Sequence, residues 1–138
     1  MRVVFFGSPE AAVPSFRALL EAGHEIPLIV AQPDRPVGRG RRLLPGPVKR
    51  FALERGIPVA QPEKIRLDPE ILDRLRAAAP DIQVVVAYGQ IIPMTIVSLP
   101  PRGTVNVHFS LLPRYRGAAP VAAAIAAGET RTGVTIFS

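Results

Sequence analysis

Short apolar runs recur along the chain, separated by segments with helical spacing, and leave few folds open to it. Arg2–Phe6 (RVVFF), Glu25–Gln32 (EIPLIVAQ), Ile82–Ala87 (IQVVVA), Thr104–Phe109 (TVNVHF) and Gly133–Ser138 (GVTIFS) are rich in β-branched and aromatic residues. They are too short for buried helices and read as strands. Ile82–Ala87 is mostly apolar rather than alternating, the signature of a strand covered on both faces. The segments between them carry helical spacing. Phe16, Leu19 and Leu20 lie on a helix that stops at Gly23, with Pro14 in its first turn, because a deeper proline costs about 3 kcal/mol. A second helix runs from Pro47 through Phe51 and Leu53 to Gly56. Ile57–Ala60 follows as a short strand. Asp68-Pro69-Glu70 starts a third helix with a cap, a first-turn proline and an acid favoured by the dipole, and Ile71, Leu72 and Leu75 form its buried stripe. Ile91-Ile92-Pro93 leads into a short turn or helix, and Ala118–Ala127 reads as an alanine-rich helix ended by Gly128. Strands alternating with helices across short connections specify an open, mostly parallel α/β sheet. At 138 residues it is one domain.

Composition removes several kinds of chemistry. The chain has no cysteine, so disulfides, thiolate nucleophiles and Cys-based metal sites are excluded. Its two histidines, His24 and His108, belong to no cluster with ligand spacing, and no metal is expected. No apolar run is long enough to span a bilayer and no charged-then-apolar leader opens the chain, so a cytoplasmic protein is expected. The strand–Gly–helix opening suggests a dinucleotide site, but Gly7 stands alone where G-x-G-x-x-G is required. Neither a nicotinamide nor a flavin is expected.

Charge is concentrated. Of the net +6, five units fall between Gln32 and Arg50, where Arg35, Arg39, Arg41, Arg42, Lys49 and Arg50 face the single acid Asp34. An arginine-rich genome would explain the 15 Arg against 2 Lys, but not their clustering. The cluster suggests an anionic partner such as a nucleic acid. Prolines and glycines at the density found in Pro33–Pro47 suppress helix and strand alike, so a long basic loop is expected there.

The chemistry concentrates at Val105–Pro113. Residues two apart on a strand share a face, so Asn106 and His108 project together while Val105, Val107 and Phe109 face the other way. An amide N–H can stabilise a carbonyl oxygen that becomes an oxyanion, and an imidazole can carry protons. With no Ser/His/Asp arrangement and no Cys, the nucleophile would come from a substrate. That points to transfer of an acyl-type group between two bound molecules. The same side chains would also serve to satisfy backbone groups at a strand end, and alternation does not separate the two roles.

Motifs go further. Asn106-x-His108-x-Ser110-Leu111-Leu112-Pro113-x-x-x-Gly117 resembles the signature of the folate-dependent formyltransferases. Pro33-Asp34-Arg35-Pro36-x-Gly38-Arg39-Gly40, Arg114–Pro120, Gly7-Ser8-Pro9 and Val86-Ala87-Tyr88-Gly89 are similar to the methionyl-tRNA formyltransferases among them. The resemblance implies a Rossmann-like formyltransferase fold with helices on both faces of the sheet. It further implies formyl transfer from 10-formyltetrahydrofolate to the α-amino group of methionyl initiator tRNA, by a cytoplasmic monomer. Asn106 and His108 match catalytic residues. Ser110, Leu111, Leu112 and Pro113 match a folate-binding segment, and Val86, Ala87, Tyr88, Gly89, Gln90 and Ile91 match the loop lining the pterin pocket. The basic loop, with Arg35, Arg39, Arg41, Arg42 and Lys49, matches the insertion that contacts the tRNA. The family's third catalytic residue, an Asp, has no counterpart here, and neither has its C-terminal tRNA-binding domain. The chain is therefore expected to be the N-terminal catalytic domain, incomplete at its C-terminal end. Formyl transfer to a small amine, or RNA binding without catalysis, are the alternatives.

Overall fold

The computed structural model describes residues 1–40, 42–108 and 135–137, so the expected helix at Ala118–Ala127 lies outside the described residues. The elements run β1 (Arg2–Gly7), α1 (Val13–Glu21), β2 (Glu25–Val30), β3 (Arg35–Val37), β4 (Arg42–Leu44), α2 (Pro47–Glu54), β5 (Val59–Ala60), α3 (Pro69–Ala78), β6 (Ile82–Val86), α4 (Met94–Val97), β7 (Thr104–His108) and β8 (Thr135–Phe137). Six strands form one sheet in the order β5-β2-β1-β6-β7-β8. Five of them are parallel, and β8 pairs antiparallel to β7.

The apolar runs are buried because each strand face meets a helix. On one face Val3, Phe5 and Val86 pack with Phe16 of α1 and with Val48 and Phe51 of α2. Phe16 stacks on Phe5 at 5.3 Å between centroids and meets Phe51 edge-on at 4.9 Å. On the other face Val4, Phe6 and Val85 pack with Ile71 and Leu75 of α3 and Ile96 of α4. α3 starts where the sequence places it, with the Asp68 carboxylate accepting from the backbone N–H of Glu70 at 2.9 Å and of Ile71 at 3.3 Å.

One local expectation is corrected. Pro33–Pro47 is not irregular throughout, because β3 and β4 pair antiparallel with Arg35 opposite Leu44 and Val37 opposite Arg42. Pro36 is tolerated because each strand of a two-stranded ribbon keeps one unpaired side, where a missing N–H costs nothing. Gly38, at φ +71°, supplies the left-handed residue of the connecting turn.

Candidate functional site

The strand order reverses about β1, which has β2 on one side and β6 on the other. In an open parallel sheet the carboxyl ends of strands flanking such a switch splay apart and leave a crevice. A cleft of about 750 Å³ opens there. Its walls come from Ser8 and Pro9 after β1, Ala31–Pro33 after β2, Tyr88 and Gly89 after β6, and Arg35, Leu44–Pro47, Lys49 and Arg50 from the hairpin and the start of α2.

The floor is built by close approach. A Cβ on Gly7 would lie 2.8 Å from the carbonyl oxygen of Val86, so β1 and β6 can come this near only with glycine there. The chain leaves β6 through two left-handed residues, Ala87 at φ +50° and Gly89 at φ +92°. For a non-glycine residue this conformation costs roughly 1–2 kcal/mol, and such strain concentrates at binding sites. Between them, Tyr88 turns into the core edge-on to Phe6, with ring centroids 5.5 Å apart. Only 2 % of Tyr88 is exposed, and burial, helped by the negative charge of Asp68, raises its phenol well above the ordinary range. Tyr88 thus meets the cleft as a fixed wall and holds its proton at neutral pH. Ile91, 89 % exposed, and Met94, 71 % exposed, leave apolar surface beside this loop.

A chain of amides ties the carboxyl edge together. The Ser8 hydroxyl accepts from Gln32 N–H at 2.8 Å. Gln90 Oε1 accepts from Ile65 N–H at 2.7 Å, and Gln90 Nε2 donates to Pro62 O at 3.1 Å and to Gln32 Oε1 at 2.8 Å. Gln61 Nε2 donates to Gln32 O at 3.2 Å and to Asp34 Oδ1 at 2.7 Å, and Lys49 Nζ closes on Asp34 Oδ2 at 2.9 Å. Gln32 and Gln61 are not among the residues expected from the sequence, where Gln90 figures only as part of the pterin loop. The signal was present, since Ala31-Gln32 and Ala60-Gln61 each follow an apolar strand and place an amide at its carboxyl end.

The expected site residues divide accordingly. Asn106 is half-buried on β7, paired with Val85, so it shares the sheet face of α3 and α4 while Val107 packs toward α1 and α2. Its side-chain amide makes no hydrogen bond to another described residue. The His108 backbone lies at the carboxyl end of β7, opposite Thr135. That end adjoins the Ala87–Gly89 turn because β7 pairs with β6. Arg35, Arg39 and Arg42 are exposed on the hairpin. Lys49 is not a free cation, because it is held in the ion pair with Asp34. Ser110, Leu111, Leu112, Pro113 and Arg41 lie outside the described residues.

Hydrogen bonds from Lys49 and then Gln61 hold the Asp34 carboxyl below its ordinary value of 3.8, against the opposing effect of burial. A depressed folded-state pKa gives stability that is present above the unfolded value and lost as pH falls through the folded one. The hairpin anchor should therefore be intact at neutral pH and loosen below about pH 4. Amide exchange of β3 and β4 in an Asp34→Asn variant should lose this acid step, and a step that persists would place its origin elsewhere.

Among the described residues no helix is long and apolar enough to cross a membrane, and no group of three or more His, Cys, Asp or Glu converges as metal ligands would. The formyl transferase family model matches residues 1–138. The chain belongs to the formyl transferase family. Methionyl-tRNA formyltransferase from Bordetella petrii is 57% identical over 99% of this formyl transferase chain, which covers 45% of that protein. The protein of the same name from a Synechococcus species is 58% identical over 98% of the chain, covering 42% of it. The chain thus spans less than half the length of these relatives. The fold matches phosphoribosylglycinamide formyltransferase from Bacillus halodurans with a TM-score of 0.76, at 24% identity over 99% of the chain and 70% of that structure.

Proposed function

We propose that this chain is the formyl-transferring part of an enzyme that moves a formyl group from 10-formyltetrahydrofolate to the α-amino group of methionyl initiator tRNA in the cytoplasm. The observation that carries this reading is a juxtaposition. One edge of the sheet holds the end of the Asn106–His108 strand, a cleft at the strand-order switch, and a hairpin with exposed arginines. The names of the relatives favour methionyl-tRNA over a small amine, and a small amine would leave the hairpin without a purpose.

The exposed Ile91 and Met94 beside the strained Ala87–Gly89 turn suit a flat heteroaromatic donor that meets backbone groups and apolar side chains. The donor supplies the formyl group. Asn106 donates Nδ2–H to the formyl oxygen as negative charge develops on it. His108 takes the proton given up by the attacking amine and returns it to the departing nitrogen. Ser110, Leu111, Leu112 and Pro113, with Val86–Ile91, complete the donor site in this reading. The rest of the relatives' length would carry the third catalytic carboxylate and a further tRNA-binding domain.

A formylation assay with methionyl-tRNA, comparing this chain with one carried to the relatives' length, tests the reading. The longer protein should be active, and failure to formylate methionyl-tRNA would refute the proposal. The hairpin has its own test. Replacing Arg35, Arg39 and Arg42 by Gln should weaken tRNA binding and flatten its salt slope by about 0.9 for each phosphate left without its cation. Asp34→Asn combined with Lys49→Met removes that ion pair without changing net charge and should leave the slope nearly unchanged. Equal effects from both would contradict this division of roles.

A further inference from the structure

Gln32 stands at the centre of the amide chain, and its orientation is dictated by groups that cannot turn over. A backbone N–H can only donate and a backbone carbonyl can only accept. Gln90 accepts from Ile65 N–H and donates to Pro62 O, so its two ends are fixed by the backbone. Its Nε2 must then also donate to Gln32, whose near atom is therefore Oε1. The far atom of Gln32 is Nε2, a donor. The alternative in which the Gln32 amide is reversed would set two N–H groups against each other.

That Nε2 makes no hydrogen bond to another described residue. It sits over Gly89, where a Cβ would lie 2.8 Å from it, and Gln32 and Gly89 both line the cleft. Gly89 thus has two reasons to be glycine, its φ of +92° and the room it leaves for this amide. Prolines, Leu44 and Ala31 share the cleft lining with Ser8 and the cations Arg35, Lys49 and Arg50, and Gln32 is the one carboxamide among the described lining residues, a neutral donor fixed in direction.

We infer that Gln32 is a specificity-determining residue for the amine acceptor, its Nε2 donating to the acyl carbonyl oxygen of an aminoacyl ester, and that Gln90 is the positioning residue that aims it. The inference rests on the proposed function and deepens it. In an aminoacyl ester the acyl oxygen is the hydrogen-bond acceptor nearest the reacting amine. Gln32 is rooted after β2, but its Nε2 lies over Gly89, beyond the carboxyl end of β6, and β6 is the strand beside β7, so a donor there can hold that oxygen while the amine reaches the end of β7. A site built to donate also discriminates, since a substrate lacking the oxygen leaves the amide unpaired.

Q32E gives the test in a protein carried to the relatives' length. It is isosteric and still accepts from Gln90 Nε2, but it presents an oxygen in place of the donor. The KM for methionyl-tRNA should rise roughly tenfold, while the KM for 10-formyltetrahydrofolate stays within about twofold. Q32M removes the donor without adding charge and should act in the same direction. Q90M should raise the methionyl-tRNA KM as well, and Q32M/Q90M should do so no more than Q32M alone, because Gln90 acts through Gln32. A purely structural role for Gln90 would instead lower the melting temperature and leave that KM in place. An unchanged methionyl-tRNA KM in folded Q32E overturns the inference, and so does an equal rise in both KM values. If Q32E melts early, Q32M is judged by the same criterion. A wild-type protein that formylates methionyl-tRNA beside a Q32E protein of unaltered KM sinks this inference alone. A wild-type protein that fails to formylate it sinks the proposed function and this inference together.

Discussion

Asn106→Ala, in a protein carried to the relatives' length, is expected to lower the turnover of formyl transfer roughly 10²–10³-fold, the usual cost of one missing oxyanion donor. The half-buried side chain has no hydrogen bond to another described residue, so truncation orphans no partner among the described residues. The energy forfeited belongs to the transition state, so kcat should fall while equilibrium binding of 10-formyltetrahydrofolate persists. Single-turnover rates with saturating donor, beside a direct binding titration, separate the two. Turnover within a few-fold of wild type would return Asn106 to the role of an ordinary strand-end amide.

Phe16→Ala is expected to destabilise the fold by roughly 3–5 kcal/mol, the largest effect anticipated for a residue away from the site. Phe16 is fully buried and its ring touches both Phe5 of the central strand and Phe51 of α2. Phe51 in turn lies beneath the Arg55 guanidinium, 3.4 Å from its ring centroid. Truncating the middle ring leaves a void between β1 and α2 that neither neighbour can fill without moving. Denaturant unfolding should show the midpoint falling with little change in slope. A loss under about 1 kcal/mol would mean that the cluster collapses freely and does not hold α2 in place. Because α2 carries Lys49, the same substitution should loosen the hairpin anchor.

Most of the architecture was legible because it follows from short-range signals. The apolar runs at Arg2–Phe6 and Ile82–Ala87 have no other low-energy disposition, and Asp68-Pro69-Glu70 fixes the start of α3 through its own backbone. The hairpin was not legible, because proline density is a local signal while pairing of Arg35 with Leu44 depends on the turn at Gly38. At the site, periodicity could place Asn106 and His108 at a strand end but not say what adjoined them. Lys49 read as one cation among several, since its neutralisation by Asp34 joins residues fifteen positions apart. The Gln32–Gln90 pair spans 58 positions and exists only once β2 and β6 flank β1.

Ser8 is bound twice, its hydroxyl accepting from Gln32 N–H at 2.8 Å and its carbonyl from Val48 N–H at 3.2 Å. These bonds fall just before and just after residues 33–47, so the excursion that carries the arginines begins and ends at one fixed point. A shorter or differently charged segment in place of residues 33–46 would leave both bonds of Ser8 in place, and with them the junctions to β1, β2 and α2. The charge the hairpin carries and the sheet that bears it are thereby joined through a single serine.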